Sequence, residues 1–216
     1  MKGKQLTLDQ CKLIIDKVKV KNDFKRINLA GGEPMMATFL QDLIDYIVKN
    51  DFECSLITNG SLLTEEFVKL NKGKLSMIGI SVDSINDDIN NLIGRKTLNN
   101  LYQICETIKE NNIILKINIC VSKNNLNCDF YEFVDKIRPD RLKLLQLMPS
   151  PHSKESYDLV VQKQEFDSVC ETLRIFNPIC EDNLHMKEAY WIVDSEGFYG
   201  KNNLHLSDIA KVSLLN

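Results

Sequence analysis

The stretch that decides the fold is Ile27-Asn28-Leu29-Ala30-Gly31-Gly32-Glu33-Pro34. The short apolar run from Ile27 to Ala30 favours a β-strand, and the two glycines predict a tight loop where that strand ends. Glycine lets a backbone approach a ligand closely, and Glu33 places a carboxylate beside that approach. The stretch therefore predicts a strand that ends in a polar loop with room for a ligand.

Helical and strand patterns alternate on both sides of this loop. Helices are predicted over Leu8–Val20, Thr38–Lys49, Leu98–Asn111, Phe130–Ile137 and Gln164–Phe176, with Thr64 as the N-cap of another. Strands are predicted over Ile27–Ala30, Cys54–Thr58, Leu75–Val82, Ile113–Val121 and Leu142–Met148, and a hairpin over Tyr190–Asp194 and Phe198–Gly200. This alternation predicts a parallel sheet covered by helices on its outer face, and the near-continuous apolar strands fit a buried sheet.

The composition favours one domain spanning residues 1–216 and argues against several classes of protein. The chain has 216 residues, 44% of them hydrophobic, and a net charge of -3. That charge gives no general attraction to nucleic acid or anionic lipid. No apolar stretch approaches the roughly 20 residues of a membrane span, and no signal core follows the first residues. We therefore expect no nucleic-acid partner and no membrane segment in this chain. We expect a cytoplasmic protein, with membrane association as the alternative if an N-terminal anchor was lost.

The cysteines do not form a recognisable metal motif. The sequence has seven: Cys11, Cys54, Cys105, Cys120, Cys128, Cys170 and Cys180. Their spacings are wide, and no pair has the C-x-x-C spacing of a metal or redox site. We expect reduced, mostly buried thiols and no metal ligands among them.

Parallel sheets bind ligands at the carboxyl ends of their strands, and every predicted strand here has polar residues at or near one end. They are Gly31, Gly32, Glu33 and Pro34 after one strand, Asn59 and Ser61 after the next, Ser81 and Arg95 near the third, Lys116 and Asn118 in the fourth, and Arg141 and Lys143 in the fifth. A carboxylate suits an ammonium group, amides and hydroxyls suit ribose, and a guanidinium suits a carboxylate. Together they predict a site for a nucleoside that carries a zwitterion.

Each feature taken alone has an ordinary structural explanation. A Gly-Gly or Asn-Gly pair usually marks only a turn, and Arg95 alone is more often a solvated surface residue. Lys116 could be a buried strand lysine paired with a carboxylate, and Tyr190 is more often a core aromatic. The ordered combination is what favours a site.

That combination resembles a known family. Gly31-Gly32-Glu33-Pro34 resembles the GGEP element of radical S-adenosylmethionine (SAM) enzymes. Six further stretches resemble the viperin-like antiviral nucleotide dehydratases of that superfamily, in the same order and at similar separations, from about Leu6 to about Gly200. They are Thr58–Leu62, Ile80–Ser84, Leu92–Arg95, Leu115–Asn118, Arg141–Lys143 and Met186–Tyr190.

The resemblance implies a fold and a set of roles. The fold is a partial, TIM-like (β/α) barrel of the radical SAM type. The cofactor SAM is bound by Gly31, Gly32, Glu33, Pro34, Asn59, Ser61, Ser81 and Arg95. A nucleoside triphosphate is bound by Lys116, Asn118, Arg141 and Lys143, and Tyr190 gives a hydrogen or proton to the substrate radical. The implied reaction converts CTP to its 3′-deoxy-3′,4′-didehydro form through hydrogen abstraction at C4′ and loss of the 3′ hydroxyl, and it needs an electron donor.

The sequence departs from the family at the iron–sulfur cluster. Such enzymes hold a [4Fe–4S] cluster on a C-x-x-x-C-x-x-C loop after the first strand. This sequence contains no such motif, and its first predicted element is a helix. We expect a chain without its first strand and cluster loop and with a short tail from about residue 201, inactive by itself. Two alternatives stay open: a catalytically silent relative that binds nucleotide or SAM, and a radical SAM enzyme for another phosphorylated substrate.

Overall fold

A computed structural model describes residues 5–21, 24–95, 98–149, 155–183, 192–193 and 198–199. Tyr190 lies outside these residues, as does the turn predicted at Ser195-Glu196-Gly197.

The helices and strands alternate along the chain as predicted. The helices are α1 Leu8–Lys21, α2 Leu40–Lys49, α3 Glu65–Leu70, α4 Asp87–Leu92, α5 Leu101–Glu110, α6 Phe130–Ile137, α7 Glu155–Asp158 and α8 Lys163–Thr172, with 3-10 turns at Pro34–Met36 and Arg174–Phe176. The strands are β1 Arg26–Leu29, β2 Glu53–Thr58, β3 Leu75–Ser81, β4 Ile114–Val121, β5 Arg141–Gln146, β6 Ile179–Glu181, β7 Ile192–Val193 and β8 Phe198–Tyr199.

The first six strands form one parallel sheet in chain order, β1 to β6, which is a half-barrel. This confirms the predicted α/β class with a partial TIM-like barrel. Strands β7 and β8 pair antiparallel, which confirms the strand pairing of the predicted hairpin.

The local predictions differ from the structure at short elements. Thr64 caps α3 as predicted, since its Oγ1 accepts a hydrogen bond of 3.1 Å from the backbone N of Phe67. Helix α4 was not predicted, because it is a six-residue, mostly polar segment that depends on its Asn86 cap. Strand β6 was not predicted either, because its three residues are too short for a periodic pattern.

The outer face of the sheet forms the hydrophobic core. Leu56, Ile78, Ile117 and Leu144, from four neighbouring strands, are each 0% exposed and belong to one apolar cluster with residues of the covering helices. Burying each such side chain contributes roughly 1.5–3 kcal/mol to folding. The strands are therefore fixed in place from their outer side.

The inner face carries polar residues among apolar ones such as Ile57, Ile114 and Leu145, so the strands are less continuously apolar than the sequence predicted. Alternation and strand register place these residues on it: Asn28, Ser55, Met77, Gly79, Ser81, Lys116, Asn118, Arg141, Lys143 and Glu181. None of them belongs to the apolar cluster. A Cβ on Gly79 would lie 2.4 Å from Ile57 Cδ1 and 3.3 Å from Asn118 Nδ2. The glycine therefore leaves space that the Ile57 side chain occupies, with the Asn118 amide beside it.

Within the described ranges, no helix combines enough length with enough hydropathy to cross a bilayer.

Candidate functional site

The Gly31-Gly32-Glu33-Pro34 loop is joined to the end of β2 by the Glu33 carboxylate. Its Oε1 accepts hydrogen bonds from Thr58 Oγ1 at 2.6 Å and from Met35 N at 3.0 Å, and its Oε2 accepts one from Asn59 N at 2.7 Å. Sequence reasoning gave Glu33 to an ammonium group only. Because an ionised carboxylate offers about four lone-pair sites, Glu33 keeps capacity for one more donor while it fixes the loop.

A cavity of about 260 Å³ opens beside this loop, at the carboxyl ends of β2 and β3. Asn59, Ser61, Ser81 and Arg95 line it, so the structure brings together four of the residues predicted for one ligand. Gly31, Gly32, Glu33 and Pro34 do not line it, and Glu33 adjoins it through its bond to Asn59 N. The cavity therefore presents amide, hydroxyl and guanidinium groups together.

Arg95 is held at this cavity by Asp83, a residue of the matching stretch Ile80–Ser84 to which the sequence reasoning gave no role. Asp83 Oδ2 accepts a hydrogen bond from Arg95 Nε, and Oδ1 accepts one of 2.9 Å from Cys120 N. The Asp83 side chain is 10% exposed and that of Arg95 is 33% exposed. The signal was available, because Asp83 follows Ser81 by two residues at the end of β3.

Asn125, in the loop after β4, stabilises the position of Asp83 and therefore of the Asp83–Arg95 pair. Asn125 Nδ2 donates to the carbonyl oxygens of Asp83 and Cys120, both at 2.8 Å. Asn125 Oδ1 accepts from Ser122 N at 2.8 Å. One side chain that is 1% exposed thus joins the ends of β3 and β4.

The second group of predicted residues forms a row of cations on the inner face. Lys116 lies opposite Arg141 in the β4–β5 register, and Asn118 lies opposite Lys143. Lys143 is 5% exposed, and its Nζ lies 2.7 Å from Glu181 Oε2. Glu181 was missed because it belongs to β6, the short strand that was not predicted.

Burial and charge act together on Lys116. Its pKa is lowered from 10.5 to about 8, mainly by desolvation and in addition by the positive charges of Lys143 and Arg141. The negative charge of Glu181 opposes them by raising the pKa. Cations crowded together in a half-buried site are suited to a ligand that carries several negative charges.

The cavity and the cation row adjoin each other. Ser81 lines the cavity, and it lies opposite Asn118 in the β3–β4 register. A ligand in the cavity and a second ligand on the cations would therefore be neighbours across β3 and β4.

The cysteines of this chain do not fit an iron–sulfur cluster. All seven are free thiols, but only Cys54 and Cys105 are buried, so the expectation that most are buried was wrong. Desolvation raises the pKa of both thiols to about 12, which disfavours the thiolate that a cluster needs. In the described part of the chain, no group of three or more His, Cys, Asp or Glu could hold a metal ion.

Comparison with known proteins identifies the family. The sequence model of the Radical SAM superfamily matches residues 1–137, more than half of the chain. The chain belongs to the radical SAM superfamily. The resemblance inferred from Gly31-Gly32-Glu33-Pro34 is thereby confirmed.

Two relatives in this superfamily have the same name, S-adenosylmethionine-dependent nucleotide dehydratase. The protein from Flammeovirga pacifica is 32% identical over 189 residues, covering 83% of this chain and 65% of the relative. The protein from the Thermoplasmatales archaeon strain ISO4-H5 is 33% identical over 186 residues, covering 79% of this chain and 67% of the relative. The chain thus spans about two thirds of the length of these relatives.

A solved structure agrees with the fold. The structure of anSMEcpe with bound AdoMet and a peptide superimposes with a TM-score of 0.64 at 21% identity. The match covers 79% of this chain and 52% of that one. At this identity the likeness supports the half-barrel and nothing finer.

Proposed function

We propose that this chain is the ligand-binding body of a viperin-like, SAM-dependent nucleotide dehydratase, a lyase that acts on CTP in antiviral defence. The observation that carries the proposal is the Ser81–Asn118 register, because it sets the cavity beside the row of cations. Two relatives named nucleotide dehydratases support the same conclusion. The product would be the 3′-deoxy-3′,4′-didehydro nucleotide.

The cavity is the proposed SAM site. Arg95 would hold the methionine carboxylate, and Glu33 would use its remaining acceptor capacity for the ammonium group. Asn59, Ser61 and Ser81 supply amide and hydroxyl partners for the ribose, and Gly31, Gly32 and Pro34 shape the loop beside it. When bound, SAM supplies the adenosyl radical of this superfamily's chemistry.

The cation row is the proposed nucleotide site. Lys116, Arg141 and Lys143 would neutralise a triphosphate, and Asn118 would bind beside them. CTP follows from the resemblance and not from these side chains, which do not read a base. The proposed role of Tyr190 stays a prediction, as does the cytoplasmic location.

A second candidate is favoured by the cysteines. The thiols of this chain do not fit a cluster. The residues present therefore support the binding of SAM and nucleotide, but not the formation of a radical. A catalytically silent binding protein would have the same sites. The dehydratase needs a cluster and an electron donor besides these residues.

Binding is tested first. Isothermal titration calorimetry of the full chain should show binding of SAM and of CTP. Arg95→Ala should remove the first and Lys116→Ala the second, while Lys49→Ala, an exposed lysine at the end of α2, changes neither. Comparing CTP, UTP and GTP tests the base. Failure to bind any nucleotide would reject the proposal, and preference for a different phosphorylated compound would favour another radical enzyme.

Catalysis is tested second. The chain is incubated anaerobically with iron and sulfide, a reductant, SAM and CTP, and cluster absorbance and the didehydro product are measured. Neither is expected from the cysteines of this chain. A cluster and product formed by this chain would show the assignment of its thiols to be wrong and would reject the silent candidate.

A further inference from the structure

Glu181 is the one acidic residue found among the cations of the inner face, within the residues that the structure describes. Its side chain is 15% exposed, and its carboxylate lies 2.7 Å from Lys143 Nζ through one of its two oxygens. A carboxylate repels a polyphosphate, so a site that bound phosphate groups alone would be weakened by it. Its presence points to a part of the ligand that is not phosphate.

The strand register shows how far each of these charges lies from the amino ends of the strands, a distance called its height. Lys116 and Arg141 lie opposite each other nearest the amino ends, and Asn118 and Lys143 lie opposite each other one step higher. Glu181 lies opposite Leu145, a further step towards the carboxyl ends. The cavity lined by Ser81 and Arg95 is at that carboxyl end. The cavity lies at the ends of β2 and β3 and Glu181 lies on β6, on opposite sides of the cations of β4 and β5. A ligand with its phosphates on Lys116 and Arg141 that extends its remaining part towards the carboxyl ends therefore reaches the height of Glu181.

The triphosphate and the nucleoside of a nucleotide differ in the hydrogen-bonding groups that they offer. An ionised triphosphate carries acceptor oxygens and no hydrogen-bond donors. The nucleoside carries donors, namely the ribose hydroxyls and an exocyclic amine where the base has one. An ionised carboxylate only accepts, and it offers about four lone-pair sites, of which the ion pair with Lys143 uses one oxygen.

We propose that Glu181 is a specificity-determining residue, whose carboxylate accepts hydrogen bonds from the donors of the bound nucleoside. It makes the site prefer a nucleoside triphosphate to inorganic triphosphate. This inference rests on the proposed nucleotide site. It adds to that proposal that the nucleoside part of the ligand contacts Glu181 of β6.

The experiment compares two probes on the full chain, CTP and inorganic tripolyphosphate, by titration calorimetry at pH 7. Wild type should prefer CTP. Glu181→Gln keeps the shape but weakens the acceptor, and it should lower the preference for CTP about tenfold, because hydrogen bonds to charged groups are worth roughly twice neutral ones. Glu171→Gln, at an exposed carboxylate on α8, is the matched control and should leave the preference unchanged.

Glu181→Asp keeps the charge and withdraws the carboxylate by one methylene. It should also lower the preference, and thermal melting confirms that both variants are folded. Equal weakening of both probes in the Glu181 variants would overturn the inference, since Glu181 would then act only through Lys143. A preference that survives in both variants overturns it as well. If wild type does not bind CTP, the proposed nucleotide site itself fails.

Discussion

The two faces of the half-barrel are made by alternate residues of the same strands, yet they differ in almost every property. On β4, Ile117 points into the helix-covered core and is 0% exposed, while its neighbours Lys116 and Asn118 lie on the inner face. The outer face is uniform and apolar. The inner face holds cations, a carboxylate and amides within a few residues of each other.

The difference teaches how stability and chemistry are separated in this fold. Closely packed apolar residues fix the strands, and the fixed strands then hold polar groups that would not gather by themselves. The two faces should therefore respond differently to substitution: the outer face in stability, and the inner face in ligand binding.

The largest expected effect is on the outer face. Ile117→Ala should lower the free energy of unfolding by about 2–5 kcal/mol, because it leaves a cavity among buried residues. Urea denaturation measures this. Ile117→Val removes less volume and should cost about 0.5–1.5 kcal/mol. If Ile117→Ala were neutral, the outer face would not be the stabilising one.

The next largest effect is expected from a substitution that removes the contact between Asp83 and Arg95 at the cavity. Asp83→Asn keeps an acceptor for Cys120 N but removes the charge that faces Arg95. We expect SAM affinity to fall about 10- to 100-fold, because a hydrogen bond between charged groups is worth about 1.5–3 kcal/mol. Titration calorimetry with SAM is the measurement.

The control for this substitution is Asp51→Asn, at a carboxylate whose side chain is 89% exposed. Unchanged SAM affinity in Asp83→Asn would mean that Arg95 does not need Asp83 or does not bind the ligand.

Lys116 on the inner face should make both the stability and the anion affinity of the chain depend on pH. Its pKa is lowered from 10.5 to about 8, so the folded chain loses this proton before the unfolded chain does. Between these two values the unfolded state binds more protons, and stability should rise with pH relative to Lys116→Met. Affinity for tripolyphosphate should move the opposite way and fall as the pH passes about 8.

Both trends are read from melting and titration series between neutral and alkaline pH. Lys116→Met should show neither, and Lys49→Ala should behave as wild type. A wild-type affinity that stays level above the pKa of Lys116 would remove Lys116 from the anion site.

The smallest expected effect is at the Gly31-Gly32-Glu33-Pro34 loop, which Glu33 joins to the end of β2. Thr58→Val keeps the volume but removes the donor to Glu33 Oε1 and the acceptor for Gly60 N. We expect a loss of about 1 kcal/mol in the free energy of unfolding and a several-fold loss in SAM affinity. Thr172→Val, at an exposed threonine of α8, is the control. A loss of stability without any change in SAM affinity would make Glu33 purely structural.

The sequence predicted the outer face well, because apolar periodicity reports directly on burial. It also predicted that Ser81, Arg95, Lys116 and Lys143 belong to ligand sites, and the structure places the first two at the cavity and the other two on the inner face. It could not show which groups pair, since the partners of Glu33, Arg95 and Lys143 come from neighbouring strands and depend on register. Glu181 was beyond its reach for a further reason, because a strand of three residues leaves no periodic signal.

Asn125 has a consequence for dynamics. Its buried side-chain amide links the ends of β3 and β4 through hydrogen bonds to the backbone of Asp83, Cys120 and Ser122. Such a region opens rarely, so the Ser122 amide should exchange its hydrogen slowly although it belongs to a loop. Asp83, which lines the cavity, is then already ordered before a ligand arrives, and little conformational entropy is lost there on binding.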